Sequence, residues 1–91
     1  MAKRLIIEGQ VQGVGYRVSF ARAATALGLS GWVRNCPDGC VEACVHGDAA
    51  ALESIILWAG QGPPAARVGK VSIEDVDEAP SDGTFRILPS R

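Results

Sequence analysis

Two runs of alternating polarity, residues 30–36 and 40–46, flank the tripeptide Pro37-Asp38-Gly39. Proline suits the first turn position, aspartate the second and glycine a left-handed third, the chemistry of a three-residue hairpin loop. That loop sets Cys36 opposite Cys40, Arg34 opposite Glu42 and Trp32 opposite Cys44, and it leaves Val33, Val41, Ala43 and Val45 together on a core-facing side. A two-residue loop would pair Arg34 with Ala43 and mix the faces, because a one-residue slip turns every side chain over. The hairpin register is therefore readable before anything else.

The remaining elements arrange themselves around it. Residues 3–10 read as a first strand, and residues 10–16 as a glycine-rich loop. Over residues 17–27, Phe20, Ala23, Ala24 and Leu27 recur at helical spacing, and Gly28 is a left-handed stop. Asp48 can cap a second helix over residues 49–59, with Leu52, Ile55, Ile56 and Ala59 on its buried stripe, ended by Gln61-Gly62-Pro63-Pro64. Residues 68–76 follow as a strand with Val71 and Ile73 inward, and residues 83–88 as a short last strand. The order βαββαβ plus a terminal strand predicts an α+β, ferredoxin-like split βαβ sandwich: two helices on one face of an antiparallel sheet.

Ninety-one residues predict a single domain, 1–91, with one core. A formal net charge of -1 gives no general attraction to nucleic acid or to an anionic membrane. The apolar run after Lys3 and Arg4 is too short for a signal peptide, and no later run approaches membrane-spanning length, so a cytoplasmic protein is expected. A monomer is expected as well, since no long apolar surface stripe stands out.

The stretch Glu8-Gly9-Gln10-Val11-Gln12-Gly13-Val14-Gly15-Tyr16-Arg17 leaves a strand and opens a helix. Helix N-termini carry unpaired N–H donors and a partial positive charge, which suits phosphate or a similar anion. Arg17 adds a planar fork of donors. On this physics alone, anion binding and a plain strand-to-helix turn are both open readings. The loop is neither a dinucleotide fingerprint, since counting from Gly13 the sixth position, where the third glycine belongs, is Val18, nor a P-loop, since it contains no lysine.

Val11-Gln12-Gly13-Val14-Gly15-Tyr16-Arg17 resembles the first signature of the acylphosphatases. Gly31-Trp32-Val33-Arg34-Asn35, with Asp38-Gly39 and Val41-Glu42, resembles their second. Gly62-Pro63-Pro64, Ala66-Arg67-Val68 and Phe85-Arg86-Ile87 are also similar to the family pattern, so the match spans residues 5–87. The resemblance implies the same ferredoxin-like fold and hydrolysis of acyl phosphates to carboxylate and phosphate, with no metal and no cofactor. It implies that Arg17 grips the phosphoryl group with backbone N–H groups of Gln12, Gly13, Val14, Gly15, Tyr16 and Arg17. It implies that the Asn35 amide positions the attacking water. By itself, an asparagine before Pro-Asp-Gly is also ordinary turn chemistry. In some members the terminal carboxylate lies near the catalytic arginine; the tail Leu88-Pro89-Ser90-Arg91 departs from that pattern.

Other readings fit less well. His46 is the sole histidine, with no acidic residue placed beside it for a triad. Cys36, Cys40, Cys44 and His46 lack zinc-knuckle spacing, and no metal is expected. Cys36 and Cys40, as direct cross-strand neighbours, could form a disulfide if oxidised, though free thiols are the default in a reducing compartment. An RNA-recognition module of the same topology would need aromatics on its central strands, and "CVEACVH" has none. A metal carrier would place cysteines in the first loop. A phosphate-site relic that binds without turnover would not need Asn35. A carbamoyl-phosphate-handling domain of a larger enzyme resembles the same family, but with no zinc-finger segment in the sequence a free enzyme is expected.

Overall fold

The computed structural model describes residues 1–77 and 83–90. In chain order the elements are β1 (Ala2–Gln10), α1 (Tyr16–Ala26), β2 (Ser30–Asn35), β3 (Val41–His46), α2 (Ala49–Gln61), β4 (Arg67–Val76) and β5 (Phe85–Ile87). Among the described residues the strands form one sheet in the order β4-β1-β3-β2-β5. The α+β ferredoxin-like arrangement read from the sequence is the one observed.

The hairpin register is also as expected, with Trp32 paired to Cys44 and Arg34 to Glu42. The Cys36 N–H closes the turn by donating to the Cys40 carbonyl at 3.0 Å. Val33, Val41, Ala43 and Val45 are fully buried, and they share one core with Leu5 and Ile7 of β1, Phe20 and Ala24 of α1, and Leu52, Ile55 and Ala59 of α2. Both helices thus cover the same face. Each buried leucine, isoleucine or phenylalanine contributes about 1.5–3 kcal/mol by leaving water, which is where a chain this small finds its stability. Asp48 caps α2 as its sequence position predicts, its side chain accepting from the Ala51 N–H at 2.8 Å.

Two expectations need correction. The sheet is mixed rather than antiparallel, because β5 pairs with β2 in parallel. The cause is topological. β1 and β2 both run antiparallel to β3, and β4 runs antiparallel to β1. One reversal after β4 therefore sends β5 in the direction of β2, and it lands beside that strand. The second correction concerns Ile73, which faces the core side opposite buried Leu5 but remains 46 % exposed. Its strand lies at the margin of the sheet, where cover is thin. No helix among the described residues is long and apolar enough to cross a membrane.

Candidate active site

β1 and β2 end at the same end of the sheet. Ile7 and Asn35 both pair with Val41, so the three form one row across β1, β3 and β2. The loop of residues 11–15 leaves β1 just beyond that row, and the hairpin loop of residues 36–40 leaves β2 beside it. The two signature segments, distant in sequence, meet here because the crossover through α1 makes their strands parallel.

The first loop turns through two left-handed glycines, Gly13 at φ 76° and Gly15 at φ 78°. A β-carbon at either would meet nothing within 4 Å. Glycine is needed there for its backbone conformation and not for lack of room. Gly15 is the N-cap of α1 and supplies no side-chain cap. Its carbonyl accepts from the Ser19 N–H at 3.1 Å, so the helix begins cleanly while its first donors stay free. Among the described residues, no backbone hydrogen bond engages the N–H groups of residues 12–18. Such a run of unengaged donors at the positive end of a helix is chemically suited to an anion.

Arg17 occupies the first turn of α1 and is half-buried. Among the described residues no carboxylate pairs with it, in contrast to Arg4 and Arg34, both held by Glu42. Asn35 shares the helix-covered face with Val33 and Val41, as strand alternation predicts. Its side-chain oxygen Oδ1 is buried and makes no hydrogen bond among the described residues. An unpartnered buried amide oxygen costs about 1–3 kcal/mol, which is tolerable where a ligand or water completes it. The terminal carboxylate at Arg91, whose contact with the arginine was in question, lies outside the described residues.

Gln12 and Tyr16 do more than backbone reasoning foresees. The Gln12 side-chain amide donates to the carbonyls of both Cys36 and Cys40, each at 2.8 Å, and so latches the first loop to the hairpin loop next to Asn35. The Tyr16 ring is 1 % exposed and packs against Phe20 and Trp58, with its hydroxyl bonded to Ala59. Burial pushes its phenol well above the ordinary range, so it stays neutral. Gly62 leaves room for that ring, since a β-carbon there would stand 3.0 Å from it. The signal for both was present in residue type, a long amide and a large amphipathic ring, but neither partner is local in sequence.

The comparisons with known proteins agree with this geometry. The acylphosphatase family profile matches residues 3–87. The chain belongs to the acylphosphatase family. Acylphosphatase of Azoarcus sp. (strain BH72) is 53 % identical over 90 residues, covering 98 % of this chain and 90 % of that protein. The crystal structure of acylphosphatase from Bacillus subtilis superposes with a TM-score of 0.91 at 33 % identity, covering 96 % of this chain and 97 % of the other. A larger protein, full-length HypF in its phosphate- and nucleotide-bound form, contains a similar unit: TM-score 0.89 and 28 % identity, over 98 % of this chain but 12 % of that one. This acylphosphatase-family protein is a hydrolase acting on acid anhydrides, and its general activity is that of an acylphosphatase.

Proposed function

We propose that the chain, acting as one domain and as a monomer, hydrolyses small acyl phosphates through Arg17, Asn35 and the backbone amides of residues 12–17. The observation that carries this reading is the buried, unpartnered Oδ1 of Asn35, at the same end of the sheet as the unengaged donors of the first loop. A site that only bound phosphate would have no use for a second polar group aimed inward from another strand.

The reaction asks little of the protein. The carboxylate of an acyl phosphate leaves without protonation, so catalysis rests on positioning and on stabilising charge at the equatorial oxygens. Arg17 and the loop N–H groups hold those oxygens and stabilise them as charge shifts in the transition state. Asn35 accepts a hydrogen bond from the attacking water and holds it in line with the breaking P–O bond. An amide cannot take the proton, which passes to a phosphoryl oxygen or to solvent. Water's oxygen forms the new bond to phosphorus, and the acyl oxygen departs with the bonding pair. The products are carboxylate and inorganic phosphate.

Phosphate release from acetyl phosphate and benzoyl phosphate tests the proposal. Arg17→Ala is expected to lower kcat/KM by about 10³-fold or more, and Asn35→Ala to lower kcat by about 10²–10³-fold with little change in KM. A wild-type rate in either variant removes that residue from the mechanism. Comparable turnover of an ordinary phosphomonoester would contradict the anhydride specificity.

A further inference from the structure

The hairpin loop carries a cluster that the hydrolytic reaction does not use. Cys36 and Cys40 are 7 % exposed, and one donor atom from each of Cys36, Asp38 and Cys40 lies within 4.8 Å of the others. Two sulfurs bound to one tetrahedral ion at the usual zinc–thiolate length stand about 3.8 Å apart. The cluster therefore needs to contract by no more than about 1 Å, within reach of side-chain rotation. Spacing alone offers Cys36, Cys40, Cys44 and His46 as donors, whereas the fold gathers Asp38 with Cys36 and Cys40 and leaves Cys44 and His46 out of the cluster. That is why the sequence pattern argued against a metal and the fold does not.

We propose that Cys36, Cys40 and Asp38 bind one thiophilic d10 cation of the zinc class, apart from the hydrolytic machinery. The backbone is already set for it. Cys36 N–H donates to the Cys40 carbonyl at 3.0 Å and Gly39 N–H to the Cys36 carbonyl at 3.2 Å. Asp38 Oδ1 accepts from the Cys40 N–H at 3.2 Å, which draws its carboxylate toward the second cysteine. Gln12 fixes the carbonyls of both cysteines at once. Five hydrogen bonds on a five-residue loop leave little to be ordered when the ion arrives.

The donor set decides the class of ion. Two sulfurs select soft and borderline metals over magnesium or calcium. Glu42 Oε1 stands 3.9 Å from Cys36 Sγ but is held by Arg34, so the fourth position falls to water or an outside ligand. A surface cleft of about 440 Å³, lined by Arg4, Ile6, Pro37 and the three donors, gives access to it. Binding exchanges two thiol protons for the divalent ion. The resulting complex carries one net negative charge, with the Arg4 guanidinium on the same cleft wall.

Cadmium tests this directly because its thiolate complexes absorb in the ultraviolet. The full chain, reduced with a phosphine, is expected to develop thiolate-to-cadmium absorption that saturates at one ion per chain. Cys36→Ser and Cys40→Ser should each abolish it, Asp38→Asn should weaken binding by about tenfold or more, and Cys44→Ser should retain it, with circular dichroism confirming that each variant is folded. Cadmium NMR of the unaltered protein needs no variant and should give a shift between all-oxygen and four-sulfur sites. Absence of the band, its survival in the Cys36→Ser/Cys40→Ser double variant, wild-type affinity in Asp38→Asn, or an all-oxygen shift would each overturn the proposal.

Discussion

The Tyr16 hydroxyl donates to the Ala59 carbonyl at 2.8 Å, joining the first turn of α1 to the last turns of α2. The residue four positions after Ala59 is Pro63, which has no N–H to give. The phenol supplies the hydrogen bond that the helix itself cannot make. The first signature and the Gly62-Pro63-Pro64 segment are thus two halves of one packing device. Tyr16→Phe keeps the ring but leaves a buried carbonyl unpaired, and should cost about 1–2 kcal/mol. Urea unfolding would measure this, with kcat on acetyl phosphate nearly unchanged; an equal loss of kcat would mean that the hydroxyl also serves the reaction.

The Gln12 latch predicts a different pattern. Gln12→Ala removes two part-buried hydrogen bonds and should cost about 1–3 kcal/mol. It should also lower kcat/KM by on the order of tenfold, because the loop and the strand end bearing Asn35 lose their common tether. Gln12→Glu should be worse than Gln12→Ala, since a carboxylate cannot donate to either carbonyl and adds negative charge beside the loop proposed to hold the phosphoryl group. If Gln12→Glu hydrolysed benzoyl phosphate as well as wild type, the latch would have no catalytic consequence.

Glu42 is 3 % exposed and sits between two guanidinium groups, with Arg4 Nε at 2.7 Å and Arg34 Nε at 2.9 Å. Burial pushes its carboxyl up, but the hydrogen bonds from Arg4 and Arg34 outweigh burial and hold it below the usual range. A carboxyl depressed in the folded state adds stability that is full above its unfolded value of about 4.3 and is lost as pH falls through the folded value. Stability should therefore drop on acidification below about pH 4. Glu42→Gln should be less stable at pH 7 by about 1–3 kcal/mol, a figure reduced because both arginines are partly exposed. Its stability should also fall less steeply in acid. Parallel slopes for the two proteins in urea titrations from pH 7 downward would remove Glu42 from the acid response.

Much of the scaffold was legible because its determinants are local. Pro37-Asp38-Gly39 sets a turn, the period of two sets the faces, and together they place Asn35 inward without any knowledge of its neighbours. The parallel pairing of β5 was not legible, since three residues carry no statement of which strand they meet. Ile73 read as inward because alternation reports the face and not the depth of cover above it. Gln12 and Tyr16 read only as loop backbone, because a side chain's reach to a carbonyl twenty-four or forty-three residues away leaves no periodic trace. The second use of Asp38, beside the two sulfurs, was hidden by the first: a turn aspartate already has an adequate reason to be there.

Among the described residues the short last strand pairs with β2 from Gly31 to Val33, and the Leu88 N–H donates to the Val33 carbonyl at 2.9 Å. The next residue is Pro89, whose nitrogen by strand alternation falls on the edge away from β2 and has no hydrogen to offer there. A single imino acid thus blunts the outer margin of the sheet. It removes one backbone donor from the edge strand, where an unpaired row of such groups would invite another chain.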